Sequence, residues 1–271
     1  MASRAGHGRV WVVDKVLTTT TAVWGLHSVE YIKDKRPAVA ILENVVPPGR
    51  KERQYYKFLQ EAIRGLGYQA TWHEMNTRNW GLPQNRPRVW LVCICGNRRA
   101  VRPFRLPCAP GVCIQLADII QPLPREEWKD LPAKENARAN VIIAYEKHVA
   151  AGLNIFEVPV VVDTVASLRF SSSTVNYSMC LTRAHAAARG YWVSTKGGTM
   201  NVHEMALLHG ITRDMIDPVR DIGLGEATYG GMLGDTMSLN VLCPLLASAL
   251  FSAGFTDESG RRHLVHRAGW C

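Results

Sequence analysis

Ala38-Val39-Ala40-Ile41-Leu42 is a run of five apolar residues that follows Arg36-Pro37 and passes straight into Glu43-Asn44-Val45. It constrains this chain more than any other stretch. An unbroken apolar run of that length behind a proline fits a strand buried on both faces of a parallel sheet. Its carboxyl end carries Glu43, and in open α/β sheets that end opens onto the ligand crevice. Glu43 is therefore the first residue expected to do chemistry. The competing reading is an acid that merely begins a loop.

The flanking segments supply the rest of such a sheet. Val23, Leu26, Val29 and Ile32 recur every three residues across Ala22 to Lys33, the pattern of an amphipathic helix. Pro47-Pro48-Gly49 makes a turn, and Arg50 to Leu66 reads as a second helix with Tyr55, Leu59 and Ile63 on one face. Tyr68 to Met75 and Arg88 to Cys95 read as strands, and Arg9 to Val13 is a candidate short one. Together they make half of a doubly wound sheet. Between the later strands lies Asn79-Trp80-Gly81-Leu82-Pro83-Gln84-Asn85-Arg86-Pro87-Arg88. Period-two spacing on an extended chain would point Gln84, Arg86 and Arg88 the same way.

Composition excludes some classes. With 271 residues, 47% of them hydrophobic and 20% charged, the chain has a globular rather than a disordered balance. The formal net charge of +9 favours a polyanionic partner without requiring one. Met1 to Lys15 lacks the apolar core of a signal peptide, and no segment approaches the roughly 18 apolar residues of a membrane span. The expected location is intracellular: the nucleus in a eukaryote, otherwise the cytoplasm. The seven cysteines form no Cys-x-x-Cys pair, so neither a metal nor a disulfide is expected.

Four blocks in order carry a resemblance. They are Arg36-Pro37 with Glu43-Asn44-Val45, then Gly81-x-Pro83-Gln84-x-Arg86-x-Arg88-Val89, then Met179-Cys180-Leu181-Thr182-Arg183 with Gly190-Tyr191-Trp192 and Glu204-Met205-Ala206-Leu207-Leu208-His209-Gly210, and last Gly234-Asp235-Thr236-Met237-Ser238. In this arrangement the chain resembles the cytosine-5 DNA methyltransferases. The resemblance implies an α/β fold: an incomplete Rossmann-like methyltransferase sheet with a small inserted target-recognition domain. The implied layout is a partial catalytic domain at 1–103, the recognition domain at 104–178, a return to the catalytic domain at 179–256 and a basic tail at 257–271. A helix is expected at Ala133 to Ala151, one from Asn201 to His209, and another from Asp235 to Ser252 capped by Asp235 or Ser238.

The same resemblance implies the chemistry. A flipped cytosine is attacked at C6 by a Cys thiolate while a Glu carboxyl protonates or hydrogen-bonds N3, and S-adenosylmethionine gives its methyl to C5. Glu43, Arg86 and Arg88 are the implied catalytic set. Burial would raise the Glu43 pKa into a useful range, Arg88 would meet the cytosine O2 edge, and Arg86 and Gln84 would order the Glu43 side of the pocket. Asn44, Val45, Gln84, Thr182 and Arg183 are the implied substrate-binding residues, and Asp235, Met237 and Ser238 the cofactor-binding ones. Arg98, Arg99, Arg102 and Arg105 lead into the recognition domain and suit DNA phosphates, with a solvated basic loop as the other reading.

Two family blocks have no counterpart. The family places a Pro-Cys nucleophile ahead of the Glu-Asn-Val block and a Phe-x-Gly-x-Gly cofactor loop near its start. Here no Cys precedes Cys93, and the one Pro-Cys pair, Pro107-Cys108, comes after the Gln-x-Arg-x-Arg block. The expectation is thus a truncated or half enzyme with an incomplete cofactor site, which acts with an N-terminal partner half or as a homodimer. The alternative is a catalytically inactive relative that binds DNA. A tRNA substrate, as in one branch of the family, stays open.

Overall fold

The computed structural model describes residues 10–13, 21–47, 49–96, 102–128, 131–220 and 223–261. Arg98 and Arg99, the turn residue Pro48 and most of the basic tail lie outside them. Internal contacts divide the chain into two units, 1–76 with 87–109 and 241–271, and 77–86 with 110–240. Against the 104–178 read from sequence, the second unit starts later, at 110, runs on to 240, and also takes in the separate segment 77–86.

In the first unit the strands are β1 (Val10–Val13), β2 (Val39–Val45), β3 (Tyr68–Asn76) and β4 (Pro87–Cys95), in sheet order β1-β2-β4-β3. The helices α1 (Thr21–Lys35) and α2 (Arg50–Gly65) separate them. The expected parallel sheet is only partly found. β1 runs parallel to β2, but β2 and β3 both run antiparallel to β4. The apolar run gave burial correctly and direction wrongly, because a strand buried on both faces reads the same whichever way its neighbours point. Ala38, Val39, Ala40 and Ile41 are all buried.

Pleating gives the sheet two distinct faces. Ala40, Leu42, Leu91 and Cys93 share one, and Ile32 of α1 and Ile63 of α2 pack against it. Glu43 has the opposite parity. The carboxylate therefore projects from the face away from that helix-packed core.

The second unit is built on an antiparallel sheet, β6-β5-β7-β8, from β5 (Val160–Asp163), β6 (Ser173–Val175), β7 (Tyr191–Val193) and β8 (Gly198–Thr199). Val160, Val162 and Trp192 face Val141 and Ala144 of a long helix. Short α3 (Leu116–Ile119) precedes that helix, α4 (Glu135–Ala150), which was expected from the sequence. The other face, with Val161, Tyr191 and Val193, packs against Leu116, Met205, Tyr229 and Leu233. Leu116 comes from α3, and the others from a helical group in which α8 (Glu226–Asp235) packs on α5 (Arg183–Ala187) and α6 (Val202–Leu207), with α7 (Arg213–Arg220) beside α6.

The chain then enters α9 (Leu239–Ser252). The single helix expected over Asp235–Ser252 is thus wrong at its start: Asp235 closes α8, and Thr236-Met237-Ser238 break the chain before α9 begins. Helix propensity concealed α8, because Gly230, Gly231 and Gly234 each cost up to about 1 kcal/mol relative to Ala. Close packing explains them. A Cβ on Gly234 would lie 2.3 Å from the Arg183 nitrogen, and one on Gly230 would lie 2.5 Å from the Ala186 carbonyl oxygen. Gly234→Ala is expected to lower stability by about 1–3 kcal/mol, the usual range for overpacking. Gly65→Ala, where an added Cβ meets nothing within 4 Å, is the control. If the two give equal midpoints in urea unfolding, the α5–α8 approach is not what excludes a side chain.

Candidate active site

Glu43 sits on β2 opposite Trp90 of β4, and Arg88 stands two residues back along β4. Two-residue spacing puts all three side chains on one face, with Glu43 and Arg88 as a diagonal cross-strand pair. Arg88 Nε lies 2.8 Å from Glu43 Oε1, and the side chains are 10% and 2% exposed. Arg88 Nη1 also donates to the Pro87 carbonyl at 2.8 Å, which fixes the guanidinium. The ion pair offsets much of the cost of burying the carboxylate. Here Arg88 is the partner of Glu43, and a cytosine edge would have to share it.

The row continues onto β3, where His73 lies opposite Trp90. Burial lowers the His73 pKa, which leaves the ring neutral at pH 7. Its Nε2 is 3.0 Å from Thr71 Oγ1, and the ring sits 5.4 Å from that of Phe104. Nothing local in the sequence singles out His73 or Trp90. Only the β2-β4-β3 register aligns them with Glu43. Trp90 is 1% exposed and its indole N–H has no hydrogen-bond partner among the described residues.

Cys93 and Cys95 both belong to the core on the α1–α2 side of this sheet. Cys93 pairs with Ala40 and faces the α1–α2 side, opposite Glu43, and burial pushes its thiol pKa up. Cys108 is exposed. Asn44 Oδ1 accepts from the Val45 N–H at 2.8 Å, so this side chain shapes the end of β2.

Gln84 and Arg86 do other work than expected. The period-two reading fails before Pro87, because Gln84 N–H bonds to Leu82 O and Arg86 N–H to Gln84 O, so the chain turns instead of extending. Arg86 is 1% exposed. Its guanidinium donates to Leu181 O at 3.0 Å and Thr236 O at 2.7 Å, with longer contacts to Gly234 O and Cys180 Sγ at 3.4 Å. Gln84 Nε2 donates to Leu208 O at 2.9 Å. Within the second unit both residues bind main-chain carbonyls of three of the motif segments. Their geometry is that of positioning residues.

The remaining site expectations are placed as follows. Thr182 precedes α5, and its N–H donates to Tyr191 Oη at 3.0 Å. Burial pushes the Tyr191 hydroxyl up to about 12. Arg183 pairs with Asp235. Thr77 Oγ1 donates to Ser238 Oγ at 2.8 Å, and Met237 is 5% exposed. Asp235, Met237 and Ser238 thus lie on the stretch that joins α8 to α9, with Asp235 paired to Arg183 and Ser238 to Thr77. The sequence after β1, Asp14 to Thr20, contains no glycine. Among the described residues no group of three or more His, Cys, Asp or Glu is placed to hold a metal.

Sequence reasoning also missed Lys196. Its Nζ lies 2.7 Å from both carboxylate oxygens of Glu204, with side chains 4% and 0% exposed. The same carboxylate accepts the Gln121 and Asn201 N–H groups at 2.7 Å, and Asn201 Oδ1 caps α6 through the Glu204 N–H. The Asn-x-x-Glu spacing of a capping box was the readable signal.

The profile of the C-5 cytosine-specific DNA methylases matches residues 23–214. The chain belongs to this family. Among curated members, the type II methyltransferase M.MthTI of Methanothermobacter thermautotrophicus is 31% identical over 116 residues, covering 41% of this chain and 32% of that protein. M2.ScrFI of Lactococcus lactis subsp. cremoris is 28% identical over 121 residues, covering 44% and 32%. This methylase-family chain thus matches about a third of the length of those relatives. The Entamoeba histolytica methyltransferase EhMeth has a similar structure, with a TM-score of 0.57 at 12% identity over 92% of this chain and 78% of that one. Dnmt2 of S. pombe gives 0.53 at 12% identity over 90% and 76%. At such identity these likenesses speak for the methyltransferase fold alone.

Proposed function

We propose that this chain is the base-activating and recognition part of a DNA cytosine-5 methyltransferase, and that Glu43 engages N3 of a flipped cytosine. The observation that carries the reading is the buried Glu43–Arg88 pair at the end of a core strand, inside the segment that matches the methylase profile. Once it carries a proton, a carboxyl there can donate it in a hydrogen bond to N3 and draw electron density out of the ring, which makes C6 open to a thiolate. Arg88 holds the carboxyl in place and is next to the pocket for the O2 edge. The methyl donor of this reading is S-adenosylmethionine. Its site and the thiolate call for residues beyond those that this chain's described residues bring together, so the chain acts jointly with a segment carrying the Pro-Cys and glycine-rich blocks. The substrate polymer of this reading is DNA.

Duplex DNA containing 5-fluorocytosine tests this. The chain alone is expected to form no denaturation-resistant adduct. Joined with the front segment of a type II relative and given the methyl donor, it is expected to form one. Glu43→Gln in the joined protein should slow adduct formation by about 10²–10⁴-fold, the usual contribution of a positioned acid. An adduct formed equally fast by Glu43→Gln would remove the assigned role. Duplex binding with no adduct from the joined protein would favour the non-catalytic, DNA-binding reading.

A further inference from the structure

Within the first unit, a cleft of about 400 Å³ whose lining includes neither Glu43 nor Arg88 opens beside the end of α9. Three arginines line it, Arg102, Arg105 and Arg261, against one carboxylate, Glu258. The Arg102 N–H donates to Ser252 O at 2.8 Å and its Nη1 to Phe251 O at 2.9 Å, so this residue is tied to the carbonyl end of the helix. Its guanidinium stacks on the Phe251 ring at 4.6 Å, and that of Arg261 stacks on the same ring at 5.1 Å while pairing with Glu258. Ser248 Oγ donates to Arg105 O at 2.6 Å. The backbone of Arg105 is thus held, while its guanidinium has no ion pair or hydrogen bond among the described residues.

A second, independent feature points to a ligand. Ser252 lines the same cleft, is 1% exposed, and its hydroxyl has no hydrogen-bond partner among the described residues. A buried hydroxyl left unpaired costs on the order of 1–3 kcal/mol, and native structures rarely keep one without a use. Guanidinium forks together with a hydroxyl donor suit a tetrahedral oxyanion bearing several acceptors. They repel cations. We infer that this cleft binds a phosphate group of a polynucleotide backbone, outside the pocket for the target base. The choice of occupant rests on the function proposed above and on the net charge of +9.

The test is binding of a fluorescein-labelled DNA duplex to the full chain, followed by anisotropy across a salt series. Arg105→Gln should weaken binding by about 3- to 10-fold at 0.1 M salt and reduce the slope of log K against log salt by about 1, as expected for one lost phosphate contact. Arg105→Lys should keep most of that slope. Ser252→Ala should weaken binding at every salt concentration with the slope unchanged. Unaltered affinity and slope for Arg105→Gln would overturn the inference, as would failure of the wild-type chain to bind the duplex. Inorganic phosphate is titrated in parallel by calorimetry. If Arg105→Gln abolishes phosphate binding but leaves duplex binding untouched, the site takes free phosphate and the polynucleotide assignment falls. Failure of the methyl-transfer reading appears elsewhere, as absence of adduct from the joined protein.

Discussion

Lys196→Met should lower the stability of the second unit by about 3–5 kcal/mol, the range for leaving one member of a buried ion pair uncompensated. Glu204 is 0% exposed, and Lys196 contacts both its oxygens at 2.7 Å. The Gln121 and Asn201 N–H groups that remain cannot neutralise a full charge. Urea unfolding gives the measurement, and the double variant Lys196→Met/Glu204→Gln supplies the argument. Because the orphaned charge is then gone, the pair should be less destabilised than Lys196→Met alone. A single variant within 1 kcal/mol of wild type would mean that water or neighbouring groups already screen the pair.

Arg86→Met has the next largest expected effect, about 2–4 kcal/mol of lost stability. It removes two good hydrogen bonds from a charged donor, to Leu181 O and Thr236 O, and leaves those carbonyls without it. Arg86→Lys should recover less than half, since an ammonium on a single stem cannot span carbonyls from separate segments as a planar fork does. The family pattern suggested a catalytic role for this arginine. If its role is structural, the variant melts at a lower temperature in the absence of any ligand. If the melting point is unchanged and only adduct formation by the joined protein suffers, the catalytic assignment is restored.

What could be read from the sequence depended on how local each signal was. The strand carrying Glu43 and the helix α2 were legible because burial writes itself into the chain as an apolar run or a repeating face. Strand direction was not, since β2 carries no mark of whether its neighbour runs with or against it. Gln84 and Arg86 were misread in direction: two consecutive turns precede Pro87, and spacing by two has meaning only on an extended chain. Helix α8 was missed because its glycines lower helix propensity and serve a close approach that only the fold reveals. His73, Trp90 and Lys196 depended on cross-strand register or on a partner outside their own segment. No local pattern announces such pairings.

The alternation of side chains along β2 has a consequence for how this stretch tolerates insertion and deletion. Glu43 reaches Arg88 only because it stands two positions after Ile41, so that the two side chains share a face. One residue inserted between Ile41 and Glu43 would turn the carboxylate into the apolar layer under α1 and α2 and send an apolar side chain toward Arg88. Two inserted residues would restore the facing and displace the carboxylate by about 7 Å along the strand. Changes of length here should therefore be survivable, if at all, only in twos.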